Sequence, residues 1–326
     1  MRNADENSKR SMKMGYLYTT REKYTPEQLE GMKRKYTPPE LVCCAGSREI
    51  IDKEVVFVGI GISDLAGAVA KLVHTPNVIL VAEAGYIGFP SVAVLISPAD
   101  NAAGKMAMCH QSLPEVFIDQ QSGFIDVAYL GFAQMDKYGN VNVSYITGKQ
   151  LKMNGSGGGG DIASSAGRVV YTVEFNPRQW VKKVDYMTEP GFLDGSRDAR
   201  KKANLVGGGP SAVATNKGVF RFDPETHELY LAEVFPWQDE KDIEEIRKGF
   251  PWDLKVAEEL KIMEPPTERE LWALRLMDST SNYILASVID RPIGKILLAG
   301  KLNLEGYDEY LGMQEKALRE ILEFVS

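Results

Sequence analysis

The stretch 78–88, VILVAEAGYIG, runs five sheet-forming residues straight into Glu83. A carboxylate closing a buried strand is costly unless something answers it. Three uses fit the residue: a partner for a nearby helix end, a ligand for ribose hydroxyls, or a nucleophile. Small neighbours at Ala84 and Gly85 leave the carboxylate in a bare pocket, where desolvation raises its energy and its reactivity.

Two glycine-rich stretches offer further chemistry. In VGIGISDLAG, Gly59 and Gly61 precede a helix and Glu83 closes the following strand, the layout of a dinucleotide-binding βαβ unit. The third glycine of that fingerprint would be residue 64, which is Asp64, and an acid beside a pyrophosphate repels it. The second stretch, NGSGGGGDIASSAG at 154–167, spells GxGxxG at Gly155, Gly157 and Gly160. KQLKMN ahead of it is no hydrophobic strand, and no Lys-Ser/Thr follows, so neither a Rossmann nor a Walker context exists. Its composition is that of a flexible linker. Yet it lies between two apolar strands, and DIASSA reads as the start of a packed helix. Gly157, Gly158 and Gly159, with Gly160, let backbone N–H groups come close to another group, a setting suited to the oxyanion of a thioester addition.

Other residue types argue against other chemistries. No serine sits in a GxSxG elbow, and the adjacent Cys109 and His110 make a poor nucleophile–base pair. His74, His110 and His227 lack the HExxH spacing of a zinc site, so no metal is expected. Cys43 and Cys44 on a helical segment read as core packing. In DKYGNVNVS, Tyr138-Gly139-Asn140 is turn chemistry, whereas Asn142 inside an apolar strand needs hydrogen-bond partners.

Positioning these groups falls to a recognisable frame. EVVFVGIG reads as a short buried strand, SDLAGAVAKLVH as a helix capped by Ser63, and NVILVAE as a second strand; strand, helix, strand at this spacing means a parallel pair. Further strands are predicted at 125–132, 141–146, 169–175 and 211–215, with a hairpin whose turn is 223–227. Capping boxes at Thr25/Gln28, Thr37/Glu40 and Thr267/Glu270 start helices. Beyond Pro265–Pro266 the chain reads as helical, with Leu311, Leu318, Ile321, Leu322 and Val325 on one face of a last helix.

The bulk properties are those of a soluble globular chain: 326 residues, 44% hydrophobic, 25% charged, net charge −7. The acidic balance gives no footprint for nucleic acid. No apolar run approaches the roughly 20 residues of a membrane span. The opening MRNADENSKRSMKMGY lacks a signal-peptide core, and three cysteines without a CxxC suit reduced thiols, so the expected location is cytoplasmic.

Several segments together resemble the B (beta) subunit of family I coenzyme A-transferases of the glutaconate CoA-transferase type. VGIGISDLAGAVAKLVHTPNVILVAEAGYIG looks like that family's opening βαβ unit, which ends in a catalytic Glu followed by a small residue and glycine. GFAQMDKYGNVNVSYI, GSGGGGDIAS, KKVDYMTEPGFLDG and VATNKGVFRFDPETHELYL are similar to later segments, in order, between about residues 42 and 262.

The resemblance implies an α/β fold with an open, mostly parallel sheet and flanking helices, of the CoA-transferase/NagB-RpiA-like kind. It further implies three parts: an N-terminal extension over 1–40, the α/β domain over 41–262 and a helical C-terminal extension over 263–326. Glu83 would be the nucleophile, with Gly59, Gly61, Gly85, Asn142 and Gly157–Gly159 shaping the substrate or oxyanion pocket. The substrates would be an acyl-CoA and a carboxylic acid, with no permanently bound cofactor and a homologous alpha subunit as partner. Ala84 departs from the Ser that often follows the glutamate, and Glu83 itself departs from family decarboxylases that carry Cys there. The alternatives are a CoA-ester hydrolase on the same fold, a dinucleotide-binding oxidoreductase, and a non-catalytic scaffold subunit.

Overall fold

Thr25, Thr37 and Thr267 each start a helix, and each does so with both hydrogen bonds of its capping box. The computed structural model describes residues 24–91, 94–95, 97, 100–153, 155–278 and 283. The expected last helix through residues 311–325 lies outside the described residues, as does the chain before residue 24.

In chain order the first elements are α1 (Pro26–Lys33), α2 (Pro38–Ser47), β1 (Val55–Val58), α3 (Ile62–Val69), β2 (Ile79–Ala82), β3 (Tyr86–Ile87), β4 (Cys109–His110) and α4 (Leu113–Gln121). They are followed by β5 (Val127–Leu130), β6 (Gln134–Met135), β7 (Val141–Asn142), β8 (Tyr145–Ile146), β9 (Leu151–Lys152), α5 (Gly159–Ser165) and β10 (Arg168–Thr172). The chain then forms α6 (Ala199–Lys202), β11 (Pro210–Thr215), β12 (Gly218–Phe222), β13 (Leu229–Val234), α7 (Glu240–Lys248), β14 (Lys255–Ile262) and α8 (Glu268–Met277).

Ten strands form one sheet in the order β14-β13-β12-β11-β10-β5-β1-β2-β3-β4. Its centre, from β11 to β2, is parallel throughout, and antiparallel strands extend both edges. Alternation along the central strands feeds two cores. Val56, Val58, Leu80, Val127, Tyr129 and Val170 pack into one; Phe57, Val81, Ala128, Val169 and Tyr171 pack into the other. A parallel sheet buried on both faces requires this near-continuous apolar sequence.

Two local expectations change. Ser63 does not cap α3; the helix starts at Ile62 behind Gly61, whose φ of 78 only glycine accepts easily, and the Ser63 hydroxyl instead meets Thr172 Oγ1 at 3.0 Å. Residues 141–146 form no single strand but two pieces, β7 and β8, in separate small ribbons with β6 and β9. Asn142 breaks the strand, because its Oδ1 accepts from the backbone N–H groups of Ser144 at 2.9 Å and Tyr145 at 3.2 Å.

Helix α8 is anchored to the same body. Glu270, fully buried, accepts from Arg48 Nε and Nη2 at 2.7 Å each and lies 2.9 Å from His74 Nε2. Burial pushes its carboxyl up, but the bonds from His74 and Arg48 outweigh burial and hold it at about 2. Arg275 Nε reaches Glu40 at 2.8 Å, adding a second tie to α2.

Candidate active site

All four central strands β2, β1, β5 and β10 are parallel, so their carboxyl ends share one edge of the sheet, where open α/β folds place ligands. Glu83 follows β2 on that edge. The β1–β2 register, with Phe57 opposite Val81, carries on to set Gly59 level with Glu83. Behind Glu83 the chain must reverse at once to form β3. Gly85 makes this turn at φ +104, its N–H donating to Ala82 O at 3.0 Å, and a Cβ there would lie 1.8 Å from Gln111 O. Glycine is the only residue that fits.

The side chain of Glu83 opens into a cavity of about 490 Å³ lined by Leu113, Pro114, Phe117, Ile118, Gln121, Gly157, Gly158 and Asp161. Two elements build it: α4 gives an apolar wall, and the glycine stretch before α5 gives a bare backbone wall. Gly158 is where they converge; a Cβ on it would lie 2.3 Å from Phe117 Cζ and 2.8 Å from Glu83 Oε1. Burial raises the Glu83 carboxyl above its ordinary value, and a hydrogen bond from the Gly158 backbone partly offsets it. The geometry is that of a half-desolvated, oriented carboxylate facing an open, mostly apolar space. Leu113 and Ile118 remain 48% and 60% exposed at the rim.

The structure brings Glu83, Gly157 and Gly158 into this one cavity, with Gly85 shaping the turn beside it. The other expected residues sit elsewhere. Gly59 donates to Tyr129 O at 3.3 Å, and Gly61 lies against the Tyr283 ring, so both shape the β1–α3 turn rather than the cavity wall. Gly159 faces Glu189, on the side away from Glu83. Asn142 is fully buried and spends its amide on Gln134 Oε1 and Tyr145 O, both at 2.7 Å. It holds the segment on which Gly155 docks, through Gly155 N to Val143 O at 3.1 Å, and is not among the residues lining this cavity. The loop amide that meets Glu83 is that of Gly158, whose N–H donates to the carboxylate.

Sequence reasoning missed the α4 wall. SLPEVFIDQQ carries a capping box at Ser112 and Glu115, and Leu113, Phe117 and Gln121 fall one above another at helical spacing. That signal was available. Among the described residues no group of three or more potential ligands could hold a metal, and no helix is long and apolar enough to cross a membrane. Cys43 and Cys44 are buried in the core and Cys109 is exposed.

Residues 44–245 match the coenzyme A transferase family. The chain belongs to that family. It is 31% identical to the B subunit of 3-oxoadipate CoA-transferase from Pseudomonas knackmussii, over 75% of this chain and 94% of that one. It is 32% identical to the B subunit of glutaconate CoA-transferase from Acidaminococcus fermentans, over 71% of this chain and 89% of that one. The crystal structure of the Acidaminococcus glutaconate coenzyme A-transferase superposes with a TM-score of 0.69 at 27% identity, covering 78% of this chain and 99% of the matched chain. The open sheet with flanking helices expected from the sequence is therefore the fold of this family of transferases.

Proposed function

We propose that this chain is the beta subunit of a heteromeric CoA-transferase that moves CoA from an acyl-CoA to a carboxylic acid, with Glu83 as the nucleophile. The observation that carries the reading is the Glu83 carboxylate, raised by burial and oriented by the Gly158 amide, at the mouth of an open cavity. An oriented, half-desolvated carboxylate is a competent nucleophile toward a thioester carbon.

In the first step a Glu83 oxygen bonds to the acyl carbon, the C–S bond breaks, and CoA departs as thiolate, leaving a mixed anhydride of Glu83 and the acyl group. The thiolate then attacks the Glu83 carbonyl carbon and expels the donor's carboxylate, leaving a glutamyl-CoA thioester. An acceptor carboxylate attacks that thioester, and the returning thiolate takes the new acyl group and frees Glu83. No proton is gained or lost over the cycle, so the site needs no general base. Because the attacking form is ionised and burial raises the group, the rate rises with pH through the acid range. The cavity is open, and its apolar rim at Leu113 and Ile118 suits closure by a second, homologous subunit, as the names of the two relatives suggest.

The test is to incubate the complex of this chain with its partner subunit and an acyl-CoA, trap with borohydride or hydroxylamine, and map the product by mass spectrometry. Modification confined to Glu83, and absent from Glu83→Gln, is the expected result. Transfer that persists in Glu83→Gln without any adduct would overturn the assignment.

A further inference from the structure

Behind the glycine wall lies a second carboxyl. Glu189 is 2% exposed, and its Oε1 would stand 2.5 Å from a Cβ on Gly159. Its Oε2 is buried with no hydrogen-bond partner. The Gly158–Gly159 step is thus gripped between two carboxyl groups, Glu83 on the cavity side and Glu189 on the inner side.

The segment around Glu189 is itself fixed. Glu189 N donates to Val141 O at 3.1 Å, and Val141 N donates to Glu189 O at 2.9 Å. Thr188 Oγ1 accepts from Val143 N at 3.1 Å. Arg200 donates to Pro190 O and Gly191 O at 2.9 and 2.8 Å, and to Ala163 O and Ser164 O on α5 at 3.0 and 3.2 Å. Glu189 therefore presses on Gly159 from a braced support.

We propose that Glu189 is a positioning residue for CoA transfer: as a neutral carboxyl it packs beneath Gly159 and holds the Gly158 amide against Glu83, and its ionisation releases that hold. The inference rests on the reading of Glu83 as nucleophile. A neutral carboxyl can stay dry with one oxygen unpartnered, whereas a carboxylate there needs water that the packed glycines exclude. Burial, rather than its neighbours, favours the neutral form. The hydrogen bond from Tyr171 on β10 favours the ionised form and only partly offsets burial, and the Tyr171 hydroxyl is itself pushed far up by burial. The guanidinium of Arg200 on α6 donates to backbone carbonyls, and Glu83 and Asp161 stand on the cavity side of the glycines. Burial raises the Glu189 carboxyl to about 8.

The experiment measures transfer rate against pH in the assembled enzyme, for the wild type and Glu189→Gln, each normalised to its own maximum. The wild-type profile is expected to fall on the alkaline side with a midpoint near 8. Glutamine keeps the shape and cannot ionise, so its profile should stay within about twofold over the same range. An alkaline limb that is absent from the wild type, or present unchanged in Glu189→Gln, overturns the proposal. Should Glu189→Gln fail to fold, Gly159→Ala reads the same contact, because its methyl must push against Glu189. Its rate of Glu83 labelling should drop about tenfold or more, and labelling at the wild-type rate would overturn the proposal. Wild-type enzyme that transfers CoA without any Glu83 adduct would instead sink the nucleophile assignment, which separates the two failures.

Discussion

Gly158→Ala tests whether the glycine wall exists to place Glu83. The backbone at Gly158, φ −82 and ψ −3, suits alanine as well as glycine, so conformational strain plays no part. Losing a glycine from the unfolded chain even stabilises the fold by about 0.4–1 kcal/mol. The cost is local. Ordinary contact begins near 3.4 Å, so the new methyl falls about 1 Å short against Phe117 Cζ and about 0.6 Å short against Glu83 Oε1. Phe117 packs against the core beside Phe57, so part of the clash falls on α4. Glu83 has to leave the Gly158 amide. A misplacement on the scale of 1 Å at a reacting group costs about 100-fold in rate, equivalent to about 2.7 kcal/mol of barrier. The assay is steady-state CoA transfer by the assembled enzyme, paired with a thermal melt of the same sample. The expected result is kcat down about 100-fold with a melting temperature within a few degrees of wild type. Gly148→Ala, which meets nothing within 4 Å, is the control and should change neither. A Gly158→Ala enzyme with wild-type kcat would refute the idea that this wall positions the nucleophile.

Two further substitutions test the frame. Gly85→Ala puts a methyl 1.8 Å from Gln111 O at a φ of +104 and should cost about 3 kcal/mol or more, read as lost soluble yield or a collapsed melt. Gly123→Ala, also at positive φ but in open space, should lose only about 1 kcal/mol, so equal losses would refute the steric argument. Glu270→Gln removes a carboxyl held at about 2 against an ordinary 4.5, a difference worth about 3 kcal/mol by linkage. A depressed carboxyl contributes fully above its unfolded value and loses that contribution as pH falls through the folded one. Urea melts should therefore show a stability gap at neutral pH that closes between 4.5 and about 2. A gap that does not depend on pH would mean that packing, rather than the ion pair, secures α8.

The parts of the fold that were legible in the sequence are those with a strong local signal. The threonine capping boxes and the apolar runs of β1, β2, β5, β10 and β11 needed no distant partner to be recognised. Strands β3 and β4, two residues each, carry no period and exist because Gly85 and Gly88 turn the chain back onto β2. Glu83 was legible because a carboxylate after VILVA is out of place. Glu189 was not, since TEPG reads as an ordinary turn and its partners, Tyr171 and Gly159, are remote in sequence and meet it only in the fold. Asn142 was singled out correctly as an amide in need of partners. Those partners are Gln134 across the β6–β7 ribbon and the backbone of Ser144 and Tyr145 in its own loop, the segment on which Gly155 docks.

Asp64 shows how the same residue can argue for a conclusion by a different physical route. From sequence, its charge opposes a pyrophosphate at the Gly59–Gly61 turn. In the fold Asp64 is fully buried, accepts from Leu95 N at 2.8 Å with its other oxygen unpartnered, and is raised by burial to about 7. Its bond from Leu95 N ties α3 to the segment around Leu95. The turn itself is crowded: a Cβ on Gly61 would lie 2.9 Å from the Tyr283 ring. One cavity on this sheet edge opens beyond β5 and β10, lined by Ile62, Phe132, Thr172 and Glu174, and another opens at Glu83, where the strand ends in a carboxylate that meets the bare Gly157–Gly158 backbone on one side. At Glu83 the glycine wall presses against the carboxylate itself, the geometry on which its proposed role as nucleophile rests.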